Sequence, residues 1–585
     1  MRFNVTKREL YSGFIASLIL LGLAIFTLLY SPKTPTDDEA NTIISEETNL
    51  EPGQVQYKQN LLNQIQFQEE VDNMLLAELE SGNYSLEEPL IVLDPYNNSP
   101  LTALILFTSS EPLNITIHIP GKDELSSINY QFDGFKTEHI IPVYGLYENS
   151  ENLVTLNATN KLKQIQEITF SIETQPLPEE IQNLIFISQL EKSEAYQPGL
   201  NFTYRLAHYP TNSPKSAFDV NGDIRWFFPG EYMQASNYSL NGNYLFTTGD
   251  YYQGNVYFIE MNPLGKIFKV LYAPYGAHHD IEVFQGGKIL VTGTNGETVE
   301  DFIYELDLNT GEIANTLDLK TIFSRVRNHF PDNYKPSFYT SKDWIHLNTI
   351  VSIENSNEII ISGRNQSMVA KISWPDGKIE WISSPPGGFL PNYSKYLLTP
   401  IGEDFEQHFE QHAPAIMDDL DNNPDTMDIL LFDNGSFRIG QDKELQRQIA
   451  NHEIIEPEKY SRMVHYRINE KDKTIEQIWD YGDDYGYALF SNICGDADPL
   501  PNGNRLGMFN VGSEDDRFAA TFIEVDENGN LVWMTQVTNN EQNYFGVEYR
   551  VERQEIYSDN ANNLMIGESA TNLIPAEVLE NNEIQ

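Results

Sequence analysis

The 585-residue chain contains a single cysteine, Cys494, and few basic residues. One cysteine excludes an internal disulfide, a cysteine-based zinc site and an iron–sulfur cluster. Any metal ion would therefore need histidine and carboxylate ligands. Lysine and arginine total 37 against 86 aspartate and glutamate residues, which gives a formal net charge of −49. This charge argues against nucleic-acid phosphates as a partner and is typical of an acidic surface adapted for solubility or salt.

One long uncharged run lies near the N-terminus, where residues 10–30 follow the basic residues Arg2, Lys7 and Arg8. Its length matches the roughly 20 residues that a membrane-spanning helix needs. The residues that end the run are poor candidates for signal-peptidase cleavage, so a retained single-pass anchor is favoured over a cleaved signal. We therefore expect residues 1–9 to stay in the cytoplasm and the acidic remainder to be extracytoplasmic, either periplasmic or extracellular.

Residues 31–84 have the composition of a polar linker followed by a helix. Apolar residues recur at helical spacing between about 54 and 80, among many glutamines and glutamates. This helix could be a stalk, could pack on its own domain, or could pair two chains in a homodimer. The sequence leaves these alternatives open.

Residues 85–180 predict a small Ig-like β-sandwich. Apolar and polar residues alternate in segments such as 101–107 and 114–119, and turn residues separate these segments. Short strands at this spacing are typical of a sandwich. No cluster of catalytic residues is expected in this domain.

Residues 185–575 contain a repeating unit, in which a strand follows an Asn/Gly turn and a hairpin then closes with a similar turn. Five complete units begin near residues 241, 286, 358, 428 and 502. A further hairpin at 218–226 lacks its leading strand, which the chain near 548–557 could supply. A unit shared between distant parts of the chain predicts a closed six-bladed β-propeller, so the fold class is mainly β.

Histidines recur just before the first strands of three successive units, at His279, His346 and His412. Asn348 and Arg364 flank the same part of the second of these units. Equivalent positions of successive blades converge near the axis of a propeller, so these side chains predict a pocket for a small oxyanion. No acidic ligand set is expected nearby. A three-histidine zinc site is the alternative, but Arg364 would oppose a dication.

These residues resemble the bacterial arylsulfate sulfotransferase family. The likeness covers about residues 85–560 and is fairly specific in its combination of motifs. The segments that carry it are His279-Asp-Ile-Glu, Asp343-Trp-Ile-His-Leu-Asn348, Ile360-Ile-Ser-Gly-Arg364, and Gln411-His412 followed by Leu431-Phe-Asp-Asn-Gly435. His279 is preferred over its neighbour His278 because of its spacing to Gly287.

The resemblance implies a PAPS-independent transfer of a sulfuryl group from a phenolic sulfate ester to a phenol. His412 would be the nucleophile that is transiently sulfated, and ping-pong kinetics would follow. His279, His346, Asn348 and Arg364 would bind the sulfuryl oxygens, with His346 as the proton relay. The implied partners are a small aryl sulfate donor and a phenolic acceptor, and no cofactor or metal is expected.

Two other functions stay open at this point. An aryl sulfate hydrolase would use the same covalent intermediate with water as the acceptor. A non-catalytic propeller could have kept the site as a binding module. The presence of His412 and Arg364 favours an enzyme over the binding module.

Overall fold

The computed structural model describes residues 52–203, 215–229, 236–238, 243–250, 255–296, 298–323, 342–436, 460–512, 518–539 and 548–575. The predicted basic flank and anchor, 1–9 and 10–30, lie outside the described residues. Within the described residues, no helix is both long and apolar enough to cross a membrane. Residues 60–574 form one compact unit, to which the following description applies. The other unit, 1–59 with 575–585, contributes only the start of the first helix and residue 575 to the described part.

The predicted N-terminal helix is α1 (Pro52–Glu80), and its second half packs on its own chain. Leu75 is fully buried, and the carboxylate of Asp72 lies 2.6 Å from Nζ of Lys266. The Gln68 side chain exchanges two hydrogen bonds with the backbone of Ile267. Of the alternatives left open by the sequence, packing within the chain therefore accounts for the apolar face of this helix.

The first sheet has six strands, and all of them lie within the predicted sandwich region. They are β1 (Leu90–Leu93), β2 (Thr102–Ile119), β3 (Ile128–Gln131), β4 (Lys136–Tyr144), β5 (Glu151–Asn160) and β6 (Ile165–Glu173). The main path is β1-β2-β5-β6, and β3 and β4 both pair with the long strand β2. Burial alternates along β5, as expected for a sheet with one face in the core.

The described residues then form six further sheets of four or five strands. The first of these sheets contains β8 (Leu200–Thr203), β9 (Lys215–Phe218) and β10 (Ile224–Phe228). The second contains β11 (Ser236–Tyr238), β12 (Tyr244–Asp250), β13 (Asn255–Met261) and β14 (Ile267–Ala273). The next two consist of β15 (Ile281–Phe284), β16 (Lys288–Gly293), β17 (Phe302–Asp307) and β18 (Ile313–Asp318), and of β19 (Leu347–Ser352), β20 (Glu358–Gly363), β21 (Met368–Ser373) and β22 (Ile379–Ser383).

The fifth sheet contains β23 (Thr399–Ile401), β24 (His412–Ile416), β25 (Thr426–Asp433), β26 (Arg462–Asn469) and β27 (Thr474–Tyr481). The sixth contains β28 (Asp496–Pro499), β29 (Arg505–Gly512), β30 (Phe518–Val525) and β31 (Leu531–Asn539). Three short helices connect elements: α2 (Glu179–Gln182), α3 (Leu319–Phe323) and α4 (Pro391–Ser394). A strand from elsewhere in the chain completes three of the sheets: β7 (Leu184–Leu190), β32 (Val551–Gln554) and β33 (Thr571–Leu573).

Strands from both ends of this region are inserted into sheets built from distant sequence. The leading strand predicted near 548–557 is confirmed as β32, which pairs antiparallel with β8 in the sheet of the 218–226 hairpin. The sequence did not reveal the second insertion, in which β7 pairs antiparallel with β31. Because β7 precedes β8 and β32 follows β31 in the chain, these pairings connect the first and the last of the six sheets.

The first strands of consecutive sheets lie against each other, and this arrangement positions the site. β11 contacts β15, β15 contacts β19, β19 contacts β24, and β24 contacts β28. Apolar side chains fill the space between neighbouring sheets, for example Leu271 of one sheet against Ile289 of the next. Residues that precede these first strands are therefore brought together although they are far apart in sequence.

Candidate active site

The three predicted histidines stand at equivalent places in neighbouring sheets. His279 lies two residues before β15, His346 lies directly before β19, and His412 is the first residue of β24. His279 and His412 are buried, and His346 is largely buried. Their common position follows from the repeat, because each one lies at or just before the start of the first strand of its own sheet.

Several residues of the site have left-handed backbone conformations, which are uncommon for side chains other than glycine. The φ angles are 57° at His279, 57° at Glu300, 52° at His346 and 51° at Glu410. Such conformations cost free energy and concentrate at functional sites, where the surrounding structure holds them. Here they occur in the short segments that carry the histidines and their acidic neighbours.

His279 and His346 meet through their imidazole rings. The two Nε2 atoms are 2.9 Å apart, and the ring of Tyr549 stacks on His279 with the centroids 5.5 Å apart. Burial, together with the positive charge of His278, lowers the pKa of His279 well below its usual value. His279 is therefore neutral near pH 7.

Two carboxylates hold the other nitrogen of His346. Its Nδ1 lies 2.6 Å from Glu300 Oε2 and 3.1 Å from Asp343 Oδ2. Burial lowers the pKa of His346, but the charges of Glu300 and Asp343 outweigh burial and raise it to about 9. The two carboxylates on this side of the site therefore stabilise the protonated, positively charged form of His346.

The expectation that no acidic side chains lie near the histidines is wrong. Among the described residues, two groups place ligating atoms within 4.8 Å of one another and could hold a metal ion. The first is His278, His279 and Glu300, and the second is Glu300, Asp343 and His346. Glu300 belongs to both groups and is buried.

Arg364 lies at the start of a 3-10 turn after β20 and is buried. Its Nη2 donates a hydrogen bond of 2.8 Å to Glu410 Oε2, and its Nη1 donates one of 3.2 Å to Asn365 Oδ1. The Glu410 side chain is fully buried, so this ion pair is shielded from solvent. The pair fixes the guanidinium close to the segment that carries His412.

The hydrogen bonds of Asn434 define the tautomer of His412. The Nδ2 of Asn434 donates to the carbonyl oxygens of Ser491 and Cys494, at 2.8 and 2.6 Å. Its Oδ1 therefore faces His412 as an acceptor, 2.7 Å from the Nδ1 atom. Nδ1 of neutral His412 thus carries the proton, and Nε2 has the free lone pair.

The electrostatic surroundings keep His412 neutral. Burial and then the positive charge of Arg364 lower the pKa of His412 well below the usual histidine value, and His346 and Arg550 act in the same direction. Arg364 and His346 therefore both lie within electrostatic range of His412. The site thus combines a neutral imidazole with neighbouring cationic groups.

Asn348 is fully buried and ties two of the first strands together. Its Nδ2 donates a hydrogen bond of 2.8 Å to the carbonyl oxygen of Gln411, the residue before His412. Nη2 of Arg550 donates to the carbonyl oxygen of Asn348, at 2.9 Å. Asn348 therefore positions the His412 segment, besides its predicted role toward a ligand.

Sequence reasoning missed several residues of the site, and some of them had a signal. Tyr549 and Arg550 directly precede the closing strand β32, as His346 precedes β19, so the repeat itself could have identified them. Glu410 lies two residues before His412. Glu300 lies in a loop with no recognisable motif, and only the structure brings it to the histidines.

The six sheets and their shared cluster of buried histidine, arginine and carboxylate side chains define a mainly β protein with an enzyme-like polar site. Residues 181–550 match the family described as Arylsulfotransferase (ASST), and residues 90–175 match the Arylsulfotransferase Ig-like domain. The first match spans more than half of the chain. The chain therefore belongs to the arylsulfotransferase (ASST) family and is a transferase.

The chain is similar to two curated proteins named arylsulfate sulfotransferase AssT. It is 24% identical to the one from Lelliottia amnigena and 23% identical to the one from Escherichia coli, over 69% of this chain and 81% of each relative. Among solved structures, an auxiliary nutrient binding protein from Bacteroides thetaiotaomicron matches at a TM-score of 0.30 and 8% identity. That match covers 75% of this chain and 94% of the other. A likeness this weak carries no argument.

Proposed function

We propose that this enzyme moves a sulfuryl group from a phenolic sulfate ester to a phenol, without a nucleotide sulfate donor, through a sulfohistidine at His412. The observation that carries the proposal is the environment of His412. Asn434 accepts a hydrogen bond from Nδ1 of His412, which leaves the lone pair on Nε2, and burial with Arg364 keeps the ring neutral by lowering its pKa. A neutral imidazole is nucleophilic, and covalent transfer through it gives ping-pong kinetics.

The bond changes are balanced within the two half-reactions. In the first, the lone pair of His412 Nε2 forms a bond to sulfur, and the ester S–O bond breaks so that the phenol oxygen leaves with the electron pair. That oxygen takes up a proton. In the second, the oxygen of another phenol loses its proton and attacks sulfur, and the N–S bond electrons return to Nε2.

The groups around His412 suit the negative charge carried by the sulfuryl oxygens. Arg364 is fixed by Glu410, at 2.8 Å, and acts electrostatically on His412. His279 and His346 come from neighbouring sheets and meet at their Nε2 atoms, 2.9 Å apart, and a bound sulfuryl oxygen would take the place of this mutual contact. Preorganised donors of this kind stabilise a transition state, and removal of one such donor costs about 3–4 kcal/mol in other enzymes. Asn348 completes the proposed set of sulfuryl-binding residues.

His346 is the proposed proton relay for the phenol oxygen. Its Nδ1 is anchored by Glu300 and Asp343, so the ring is held in one orientation with Nε2 on the side of His279. A histidine held in this way can donate a proton to the leaving oxygen and accept one from the incoming phenol.

We further propose that the six sheets are the blades of one closed β-propeller, with the site at its central channel. The insertion of β32 beside β8 and of β7 beside β31 supports closure, because both pairings join distant ends of the region. The uncharged run 10–30 after a basic flank supports a single-pass anchor with the catalytic body outside the cytoplasm. Homodimerisation through α1 has less support, because its buried face packs on its own chain.

Exchange of sulfate between a chromogenic aryl sulfate and an added phenol tests the proposed function. We expect His412→Asn to abolish exchange while the circular dichroism spectrum and thermal midpoint stay those of the wild type. His118→Asn is the control, because His118 is exposed and bonds Asn129 in the first sheet. Full exchange activity in His412→Asn would refute the assignment of the nucleophile.

A further inference from the structure

Beside the proposed nucleophile, three side chains converge as metal ligands. Glu300 Oε1 lies 3.1 Å from Nδ1 of His278, and Glu300 Oε2 lies 3.5 Å from Nε2 of His279. We propose that His278, His279 and Glu300 bind one divalent transition-metal ion of the zinc class at the edge of the sulfuryl site. The inference rests on the proposed function and changes the role of His279, because its Nε2 would bind the ion instead of His346 Nε2 or a sulfuryl oxygen. The ion would then face the sulfuryl group in place of His279.

The separations between the ligating atoms fit a shared ion. Zinc binds imidazole nitrogen and carboxylate oxygen at about 2.0–2.2 Å, so two ligands of one tetrahedral ion lie about 3.3–3.5 Å apart. His278 Nδ1 lies 3.1 Å from Glu300 Oε1 and His279 Nε2 lies 3.5 Å from Glu300 Oε2, so each carboxylate oxygen faces one imidazole at a separation near that spacing. One ligating atom from each of the three residues lies within 4.8 Å of the others. Two imidazoles and one carboxylate also form an established ligand set for zinc and related dications.

His346, which is not one of the three proposed ligands, also contacts the carboxylate of Glu300. Its Oε2 lies 2.6 Å from Nδ1 of His346, and the same nitrogen lies 3.1 Å from Asp343 Oδ2. Metal-ligating carboxylates commonly have such outer partners, which fix their orientation. Glu300 and His279 also share a left-handed φ of 57°, a conformation that costs free energy and concentrates at functional sites.

The charge distribution answers the objection that Arg364 would repel a dication. The guanidinium of Arg364 is paired with the buried carboxylate of Glu410, at 2.8 Å. On the other side of the site, Glu300 and Asp343 bring two carboxylates to the histidines. A dication there is compensated by neighbouring negative charge. Because the protein supplies three ligands, a fourth position stays available for an oxygen of the sulfate ester.

Calorimetric titration of the chelator-treated full chain with Zn²⁺, in the absence of any substrate, tests this inference. We expect one equivalent of Zn²⁺ per chain. Glu300→Gln and His278→Ala should each weaken binding by more than the roughly 10- to 100-fold that is typical when an outer partner of a metal site is removed. Two different ligands are replaced so that a folding defect in one variant, checked by circular dichroism, leaves the other informative.

His118→Asn, which changes an exposed histidine of the first sheet, should bind Zn²⁺ as the wild type does. The inference is overturned if the wild type binds no stoichiometric Zn²⁺, or if both ligand variants bind it unchanged. Because binding is measured without sulfate ester or phenol, the outcome is independent of the sulfohistidine. Zinc binding together with an absent His412 adduct would refute only the proposed function.

Discussion

Asn434 Oδ1 lies 2.7 Å from Nδ1 of His412, and the amide nitrogen of Asn434 is bonded to the carbonyl oxygens of Ser491 and Cys494. The orientation of the proposed nucleophile is therefore fixed from two sides: by the residue that follows β25 and by the loop before β28. A single amide links three segments of the chain and determines which nitrogen of the imidazole can react.

Removal of this amide should lower the rate of exchange. In Asn434→Ala, Nδ1 of His412 loses its acceptor, and the reactive tautomer is no longer favoured. We expect kcat to fall by up to about 10⁴-fold, as when a catalytic histidine elsewhere loses the partner that fixes its tautomer. Asn434→Asp keeps an acceptor toward Nδ1 and should retain more activity than Asn434→Ala. Steady-state kinetics of both variants measure this, and equal kcat for Asn434→Ala and the wild type would contradict the role given to Asn434.

The pH dependence of kcat/KM should report the charge of Arg364. His412 must be neutral to attack, and burial with Arg364 holds its pKa well below the usual value. An ordinary histidine has a pKa of about 6.5. The acid limb of the wild-type profile should therefore lie below that pH. Arg364→Met removes a positive charge near His412. The loss of this charge makes the imidazolium form more stable and so raises the pKa of His412. The acid limb should then move to higher pH, and an unmoved limb would show that Arg364 does not act on His412.

The buried pair between Lys266 and Asp72 should be important for stability. The side chains are 1% and 2% exposed, and Asp72 also accepts hydrogen bonds from Tyr96 and from the backbone of Gly567. Asp72→Ala leaves a buried ammonium without its counterion, which typically lowers the free energy of unfolding by about 3–5 kcal/mol.

The exposed pair between Lys471 and Asp425 is the matched control. Because solvent screens that pair, Lys471→Ala should leave the free energy of unfolding nearly unchanged. Chemical denaturation of both variants provides the comparison. Equal losses in Asp72→Ala and Lys471→Ala would mean that α1 is not held to the body through Asp72.

Added phenol should raise the rate at which the donor ester is consumed. If water were the usual acceptor, phenol would change the rate of donor consumption little. In a transferase the sulfated enzyme turns over only when a phenol accepts the sulfuryl group, so phenol raises the rate of donor consumption. The burial of His412 and Arg364 restricts bulk water at the reacting atoms and favours the transferase. Initial rates at several donor and phenol concentrations should give parallel double-reciprocal lines. Phenol-independent turnover would instead identify a hydrolase.

The repeat made much of the architecture accessible from sequence. Alternating strands and Asn/Gly turns have a strong local signal, and the incomplete hairpin at 218–226 required a partner strand, which β32 supplies. The insertion of β7 beside β31 had no such signal, because 184–190 resembles any other strand. Pairing between distant strands is decided by tertiary packing and not by local propensity.

For the site, the repeat and the motifs pointed to His279, His346 and His412 because each stands at the same place in its unit. The acidic partners were not accessible in this way. Glu300 contacts the histidines and Glu410 contacts Arg364, both from left-handed backbone positions in loops. Neither has a spacing that distinguishes it among 86 acidic residues. Asn434 belonged to a recognised motif, but its role depends on carbonyl groups contributed by the loop before β28.

Peptide mass spectrometry of the protein after brief mixing with an aryl sulfate, without acceptor, is the sharpest test of a sulfohistidine at His412. We expect an added mass of about 80 Da, that of SO3, on the peptide containing His412, and loss of this mass when phenol is added. His412→Asn should carry no such adduct. An adduct on another residue, or turnover of the ester with no adduct at all, would contradict the account.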